Sequence, residues 1–145
     1  MKKLIFLVIL IAIFAFYKQG HKSSDSAENN NTSAENIDVG HGFVKVFMPD
    51  GSNPNEALVL TPIHCTSEEV AMGKKLEEDL KAAGVPVSRA ENFDISVDNA
   101  TEDQKAAINQ SVELFKSDSP IVFLNGYGKS RPTVAEVLEV YKLTK

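Results

Sequence analysis

The chain has 145 residues with 43% hydrophobic side chains, 24% charged side chains, a formal net charge of −5 and one cysteine. This composition is ordinary for a globular protein and excludes both wholesale disorder and a multi-span membrane protein. Residues 1–20 hold three of the 15 basic residues and none of the 20 acidic ones, so the rest of the chain has a net charge of −8. That acidic excess disfavours nucleic acid and anionic membrane surfaces as partners.

Residues 1–18 have the pattern of an export signal. Two lysines precede an uninterrupted apolar run of fourteen residues, 4–17, which Lys18 ends. A helix of that length spans roughly 21 Å, less than the ~30 Å hydrocarbon core, which favours a cleaved signal peptide. The bulky residues at the end of the run, and the lack of a clean Ala-x-Ala triplet, favour an uncleaved anchor in the inner membrane. Both alternatives predict a bacterial protein whose remaining chain lies in the periplasm.

Residues 19–41 are predicted to be a disordered polar tether. They are mostly Ser, Asn, Glu, Asp and Lys, which bury too little apolar surface to offset the entropy of ordering. His21 and His41 have no partner at metal-ligand spacing, so we expect both to be solvated. The remaining residues, 42–145, have the size of one small domain.

The first half of this domain predicts two strands and a helix. Residues 42–48 alternate well enough for a short leading strand, and the almost continuously apolar run 57–61 predicts a strand buried on both faces of a sheet. A helix is predicted to begin near Thr66 and to end at Gly84, with Pro86 just beyond it. The residues at helical spacing that would face the core are Val70, Gly73, Leu76, Leu80 and Ala83.

The second half predicts a strand at 85–90, a loop at 91–100 anchored by Phe93 and Ile95, and a helix at 101–116 capped by Thr101. The buried stripe of that helix would be Ile108, Val112 and Phe115. Next come a strand that ends in the hairpin signal Asn125-Gly126, a short return strand at 127–129 and a helix at 133–142. The last helix would bury Val134, Val137, Leu138 and Tyr141. The predicted order is β, β, α, β, α, β, β, α.

Cys65 lies where the apolar strand gives way to the first helix. A thiolate at the start of a helix is stabilised by unpaired N–H groups and by the helix dipole. The following residues read Cys65-Thr-Ser-Glu68, so a carboxylate stands where a dithiol motif has its second cysteine. Two readings stay open: a monothiol nucleophile, or a small half-buried residue without reactivity.

His64 and Glu68 are the chemically active neighbours of Cys65. His64, when protonated, is a candidate activator of the thiol, although it precedes the cysteine and can point away from it. The Glu68 carboxylate would oppose the thiolate by like charge. We expect no metal site, because contiguous ligands such as these three residues seldom converge on one ion.

Residues 56–143 resemble the thioredoxin fold, in its compact glutaredoxin-like branch. Cys65 follows the first buried strand and opens the first helix, Ser119-Pro120 precedes Ile121-Val-Phe-Leu-Asn-Gly126, and an amphipathic helix follows the hairpin. The resemblance implies an α/β thioredoxin-like fold (βαβ, α, ββα) with an extra N-terminal strand. It also implies Cys65 as nucleophile, Pro120 as a cis-proline, and a groove at Thr66, Ser119 and Pro120 that binds an extended substrate or glutathione.

The chain departs from that family in three places. It lacks the second cysteine, its loop at 91–100 is longer than a minimal glutaredoxin needs, and it lacks the Gly-Gly that follows the hairpin in glutaredoxins. Lys129 and Arg131 stand there instead, either as ligands of a glutathione carboxylate or as solvated turn charges. Two functions are expected: monothiol exchange at Cys65 with a periplasmic thiol, disulfide or glutathione, or a noncatalytic module that binds a periplasmic protein or peptide. Glutathione is the sole cofactor that the resemblance suggests.

Overall fold

A computed structural model of the protein describes residues 39–145. The predicted export segment, most of the predicted tether and His21 lie outside the described residues. The described part is a mixed α/β arrangement of a five-stranded sheet and three helices. In chain order the elements are β1 (Val44–Lys45), β2 (Ala57–Leu60), α1 (Ser67–Ala82), β3 (Val87–Ala90), α2 (Glu102–Phe115), β4 (Ile121–Leu124), β5 (Tyr127–Ser130) and α3 (Val134–Thr144), which is the order predicted from the sequence. Among these three helices none has the length and apolar content needed to cross a membrane.

The strand order in the sheet is β1-β5-β4-β2-β3. Strands β2 and β3 are parallel and α1 connects them, whereas β4 is antiparallel to both of its neighbours. The β4–β5 hairpin turns at Asn125 and Gly126, whose φ angles are 48° and 85°. Positive φ at both central residues is the signature of the tight turn that Asn-Gly favours, so the hairpin prediction is confirmed. The leading strand is shorter than predicted, because β1 pairs with β5 over two residues only.

Side chains of β2 and β4 alternate between the two faces of the sheet, and every one of them is buried. One face carries α1 and α3 over Val59 and Val122. The other face carries α2 over Leu60 and Phe123. The prediction that the run at residues 57–61 is buried on both faces is therefore confirmed, and the sheet forms the middle of three layers.

Helix α1 ends as the sequence predicts. Gly84 has a φ of 85°, and the N–H of Val85 donates to the carbonyl of Leu80 at 3.0 Å, a glycine-based helix stop. The predicted buried face is wrong at Val70, which is 41% exposed, and at Ala83, which is also exposed. Gly73 already lies against Thr61, just beyond the end of β2, so Val70 one turn earlier extends past the sheet.

The buried face of α2 differs from the prediction. Val112 is 36% exposed, and its neighbour Ser111 is fully buried. The Ser111 hydroxyl accepts from the Phe47 N–H at 2.9 Å and donates to the carbonyls of Phe47 (2.8 Å) and Ala107 (2.9 Å). The buried serine of α2 therefore forms hydrogen bonds with the backbone of Phe47, in the segment that follows β1.

The folded part begins upstream of the predicted boundary at residue 42. Val39 is 3% exposed and belongs to the core on the face of α1 and α3. His41 is exposed, as predicted, while its imidazole pairs with Glu139 and its carbonyl accepts from Lys129 Nζ at 2.6 Å. The polar composition of residues 19–41 did not predict this packing, because Val39 is one of the few apolar residues in that polar segment.

Candidate functional site

Cys65 lies in the turn that connects β2 to α1. Its N–H donates to the carbonyl of Pro62 at 2.9 Å, which closes the turn, and α1 begins two residues later with Thr66 as its N-cap. Cys65 is a half-buried residue and forms no disulfide. Its backbone is therefore held in the turn while part of the residue is exposed to solvent.

Ser119 is the hydrogen-bond partner of this thiol. It stands just before β4, and β4 pairs with β2 so that Ile121 lies opposite Leu60. The start of β4 thus meets the end of β2, and Cys65 Sγ lies 3.1 Å from Ser119 Oγ. Ser119 is 3% exposed, and the peptide bond to Pro120 is cis. A thiol donates to this hydroxyl, and a thiolate would accept from it, so the contact suits both protonation states.

The first turn of α1 is closed by a capping box of Thr66 and Glu69. The Thr66 N–H donates to Glu69 Oε2 at 2.8 Å, and the Glu69 N–H donates to Thr66 Oγ1 at 3.3 Å. Thr66, predicted to bind substrate, thus has its polar groups engaged within the helix end. Within residues 39–145 no N–H of this turn donates to Cys65 Sγ. The hydrogen-bond partner of the sulfur is the Ser119 hydroxyl and not the helix amides that the sequence suggested.

Glu69 also faces Ser119 and Arg131. The Thr66 N–H and hydroxyl hold the pKa of Glu69 below its ordinary value against the opposing effect of burial, and the Ser119 backbone and the Arg131 charge lower it by smaller amounts. The carboxylate is therefore ionised at neutral pH. Sequence reasoning missed this contact, although Thr66-x-x-Glu69 is a readable capping signal.

Arg131 binds the other side of Ser119. Its Nε donates to the Ser119 carbonyl at 3.0 Å, and its guanidinium lies 3.9 Å from Glu69 and 3.8 Å from Asp118. Lys129, the other residue of the predicted basic pair, binds Glu136 Oε1 through its Nζ at 2.7 Å. Arg131 has a φ of 46°, a left-handed conformation that residues other than glycine seldom adopt.

His64 is exposed and turns toward α2. Its ring meets the ring of Phe115 edge-on, with centroids 6.4 Å apart and an interplanar angle of 80°. No hydrogen bond in the described part of the chain joins His64 to Cys65. The same residues contain no group of three or more His, Cys, Asp or Glu side chains that could hold a metal ion.

A cavity of about 230 Å³ opens beside Pro120, between α1 and the start of α3. Its apolar wall includes Met72, Leu76 and Pro132, and its charged side chains are Lys75, Asp79 and Arg131. Ser119 does not line the cavity but directly precedes Pro120, which does. Arg131 lines the cavity and also donates to the Ser119 carbonyl, so it joins the cavity to Ser119.

The arrangement joins one accessible thiol, a buried hydroxyl and an ionised Glu69–Arg131 pair. A thiol beside a hydroxyl donor can act as a nucleophile toward sulfur, and it needs no metal for that chemistry. Comparisons of the chain with protein-family models, with curated proteins and with solved structures found no match. The function of the site is therefore inferred from these contacts.

Proposed function

We propose that this protein is an exported thioredoxin-like domain that exchanges its single thiol with disulfide substrates. The observation that carries the proposal is the 3.1 Å contact between Cys65 Sγ and Ser119 Oγ, at the end of β2 and in reach of solvent. The export signal in residues 1–18 supports a location in the periplasm, attached to the inner membrane or released from it.

The topology supports the thioredoxin-like assignment. After β1 the chain runs through β2, α1, β3, α2, β4, β5 and α3, with α1 and α3 on one face of the sheet and α2 on the other. This is the βαβ, α, ββα order of the family that the sequence resembles. In this assignment β1 is the extra strand, at the sheet edge beside β5.

The proposed reaction is a thiol–disulfide exchange. The Cys65 thiolate attacks one sulfur of a substrate disulfide, a new S–S bond forms, and the other substrate sulfur leaves as a thiolate that takes up a proton from solvent. The Cys65 sulfur is oxidised and the leaving sulfur is reduced. Because the sequence contains no second cysteine, a thiol from another molecule must resolve the mixed disulfide. Oxidised glutathione is one substrate of this class.

A noncatalytic binding module is the second candidate function. It is favoured by the capping box, because Glu69 already accepts from the Thr66 N–H, an amide of the helix end that could otherwise stabilise a thiolate. In that case the cavity beside Pro120 would be part of the surface that binds a periplasmic protein or peptide, and Cys65 would contribute packing alone.

Mass spectrometry of the full-length protein in detergent distinguishes the two functions. After incubation with oxidised glutathione at neutral pH, the redox proposal expects one glutathione adduct on Cys65, which a second thiol then releases. Cys65→Ser is the control and should stay unmodified. A folded protein that forms no adduct would favour the binding module.

A further inference from the structure

Strand β3 forms one edge of the sheet, and no strand of the described residues lies beyond it. The Thr61 N–H donates to the Ala90 carbonyl at 3.0 Å, which fixes which residues of β3 bond to β2. Every second residue of a parallel strand bonds to the same neighbour, so Ser88 and Ala90 face β2. The N–H and C=O groups of Val87 and Arg89 therefore point away from the sheet.

In the part of the chain that the structure describes, this edge has little of the protection that edge strands usually carry. Arg89 Nε lies 3.8 Å from Glu77 Oε2, so the charge is directed onto α1 and not across the edge. Pro86 lacks an N–H, but its carbonyl accepts from β2, so the missing donor is on the inner side. The loop after β3 turns to the α2 side of the sheet, where Phe93 stacks on Phe115 with ring centroids 5.2 Å apart.

A second copy of β3 fits this edge in one register. Antiparallel pairing with a two-fold axis at Ser88 places Val87 of each copy opposite Arg89 of the other, and each such pair exchanges two backbone hydrogen bonds. The two Ser88 side chains then lie opposite each other, where hydroxyl pairs stabilise a sheet. This register opposes no like charges within β3, whereas an axis at Arg89 would set two guanidinium groups face to face.

We propose that this protein forms a homodimer in which two β3 strands pair and the two sheets become continuous. Because the paired strands are antiparallel, the two Cys65 residues, each beyond the end of its own β2, lie toward opposite ends of the pairing. The dimer therefore keeps two separate thiols and does not depend on the proposed exchange reaction. The paired strand has only four residues, so we expect a reversible dimer that forms as concentration rises.

Sedimentation equilibrium of the full-length protein in detergent measures this association. Ser88→Glu sets two carboxylates opposite each other at the two-fold axis and should raise the dimer Kd by about tenfold or more. Ser88→Ala is the matched control, because it removes the hydroxyl without adding charge, and it should still dimerise. Every variant keeps residues 1–38, so association through that segment would be the same in all of them.

A charge pair tests the register itself. Ser88→Lys should also dimerise poorly, but an equimolar mixture of Ser88→Glu and Ser88→Lys should associate again, because opposite charges then face each other. Circular dichroism establishes that both variants are folded. If Ser88→Glu dimerises as well as the unmodified protein, or if the mixture of folded variants associates no better than each alone, the proposed dimer is wrong.

Amide hydrogen exchange of the unmodified protein gives a readout that needs no substitution. The N–H groups of Val87 and Arg89 should exchange more slowly as the protein concentration rises, whereas the Ser88 N–H, which faces β2, should not change. A protein that stays monomeric, with no such protection at Val87 and Arg89, would overturn the proposal. Protection that appears only when an extended peptide of another sequence is added would assign the edge to a different partner and would overturn it as well.

Discussion

The hydroxyl of Ser119 lies 3.1 Å from the sulfur of Cys65, although 54 residues separate them in the sequence. The pairing of β2 with β4 produces this contact, because Leu60 opposite Ile121 brings the segments just beyond both strands together. The thiol therefore obtains a polar partner from sheet register and not from its own helix. The predictions below test that contact and the packing around it.

Replacing Ser119 with alanine should slow mixed-disulfide formation at Cys65. The hydroxyl can donate to the thiolate, and hydrogen bonds to charged groups are worth about 1.5–3 kcal/mol, so we expect a roughly tenfold loss at neutral pH. The rate with hydroxyethyl disulfide is the measurement. Ser117→Ala is the control, because its hydroxyl binds the Leu114 carbonyl instead. Equal rates for both variants would mean that the Ser119 hydroxyl does not assist the thiol.

Replacing His64 with alanine should change the reactivity of Cys65 little. Its ring packs against Phe115, and we expect rates within about twofold of the unmodified protein from about pH 6 to pH 8. Alkylation rates measured through that range test this. Loss of a pH-dependent component in His64→Ala would instead identify His64 as the activator that its sequence position suggested.

Replacing Gly73 with alanine should destabilise the fold at the base of the site. A Cβ there would stand 2.3 Å from the Thr61 methyl and 3.6 Å from Pro120. Overpacking of this kind costs about 1–3 kcal/mol, which outweighs the gain of about 1 kcal/mol in helix propensity. Urea unfolding gives the free energy of unfolding, with Lys74→Ala on the exposed side as control. A Gly73→Ala protein more stable than that control would show that α1 does not need the close approach.

Replacing Ser111 with alanine should cost more stability than replacing the apolar Val112. The Ser111→Ala change removes the hydrogen bonds between this hydroxyl and the partly buried Phe47 backbone, whose N–H keeps the Ala107 carbonyl as an acceptor at 3.2 Å, so we expect a cost of about 1 kcal/mol. Val112→Ala removes a 36% exposed side chain, and we expect a cost of about 0.5 kcal/mol. Urea unfolding of both variants gives their free energies of unfolding and checks the ranking. A larger loss for Val112→Ala would mean that the face predicted from hydropathy, with Val112 inward, is the one that stabilises α2.

Acid should weaken the fold in part through Glu136. The Lys129 side chain, then the Thr133 backbone, holds the pKa of Glu136 below its ordinary value. The unfolded chain therefore binds the proton more readily, so this contribution to stability is present at neutral pH and is lost as pH falls through the folded-state pKa. Unfolding free energies from about pH 7 to pH 3 should fall less steeply in Glu136→Gln. An equal pH dependence of the unfolding free energy in Glu136→Gln and in the unmodified protein would show that the Glu136–Lys129 pair does not contribute to stability.

Local signals made much of the fold predictable. The apolar run of β2, the Asn125-Gly126 turn and the stop at Gly84 each depend on neighbouring residues, so their patterns are readable in sequence. The position of Cys65 between β2 and α1 was predictable for the same reason, because the strand and helix patterns lie on either side of it in the sequence.

The family resemblance implied Ser119 beside Cys65, whereas the contacts of Arg131 with Ser119 and Glu69 were harder to predict because they join distant segments. These segments meet only after β4 pairs with β2 and the chain leaves β5. The inward turn of Ser111 likewise depends on the backbone of Phe47, which no periodicity in α2 reveals. Composition and spacing report which face of an element is apolar, and they do not report which polar groups another segment will satisfy.

The most direct test of the proposed exchange function is the rate at which Cys65 forms a mixed disulfide with hydroxyethyl disulfide at neutral pH, in the folded protein and in the same protein unfolded in urea. Unfolding removes the Ser119 contact and leaves the thiol otherwise intact. The proposed function predicts that the folded protein reacts several times faster, by roughly the tenfold effect of a hydrogen bond to a thiolate. A folded protein that reacts more slowly than the unfolded chain would contradict it.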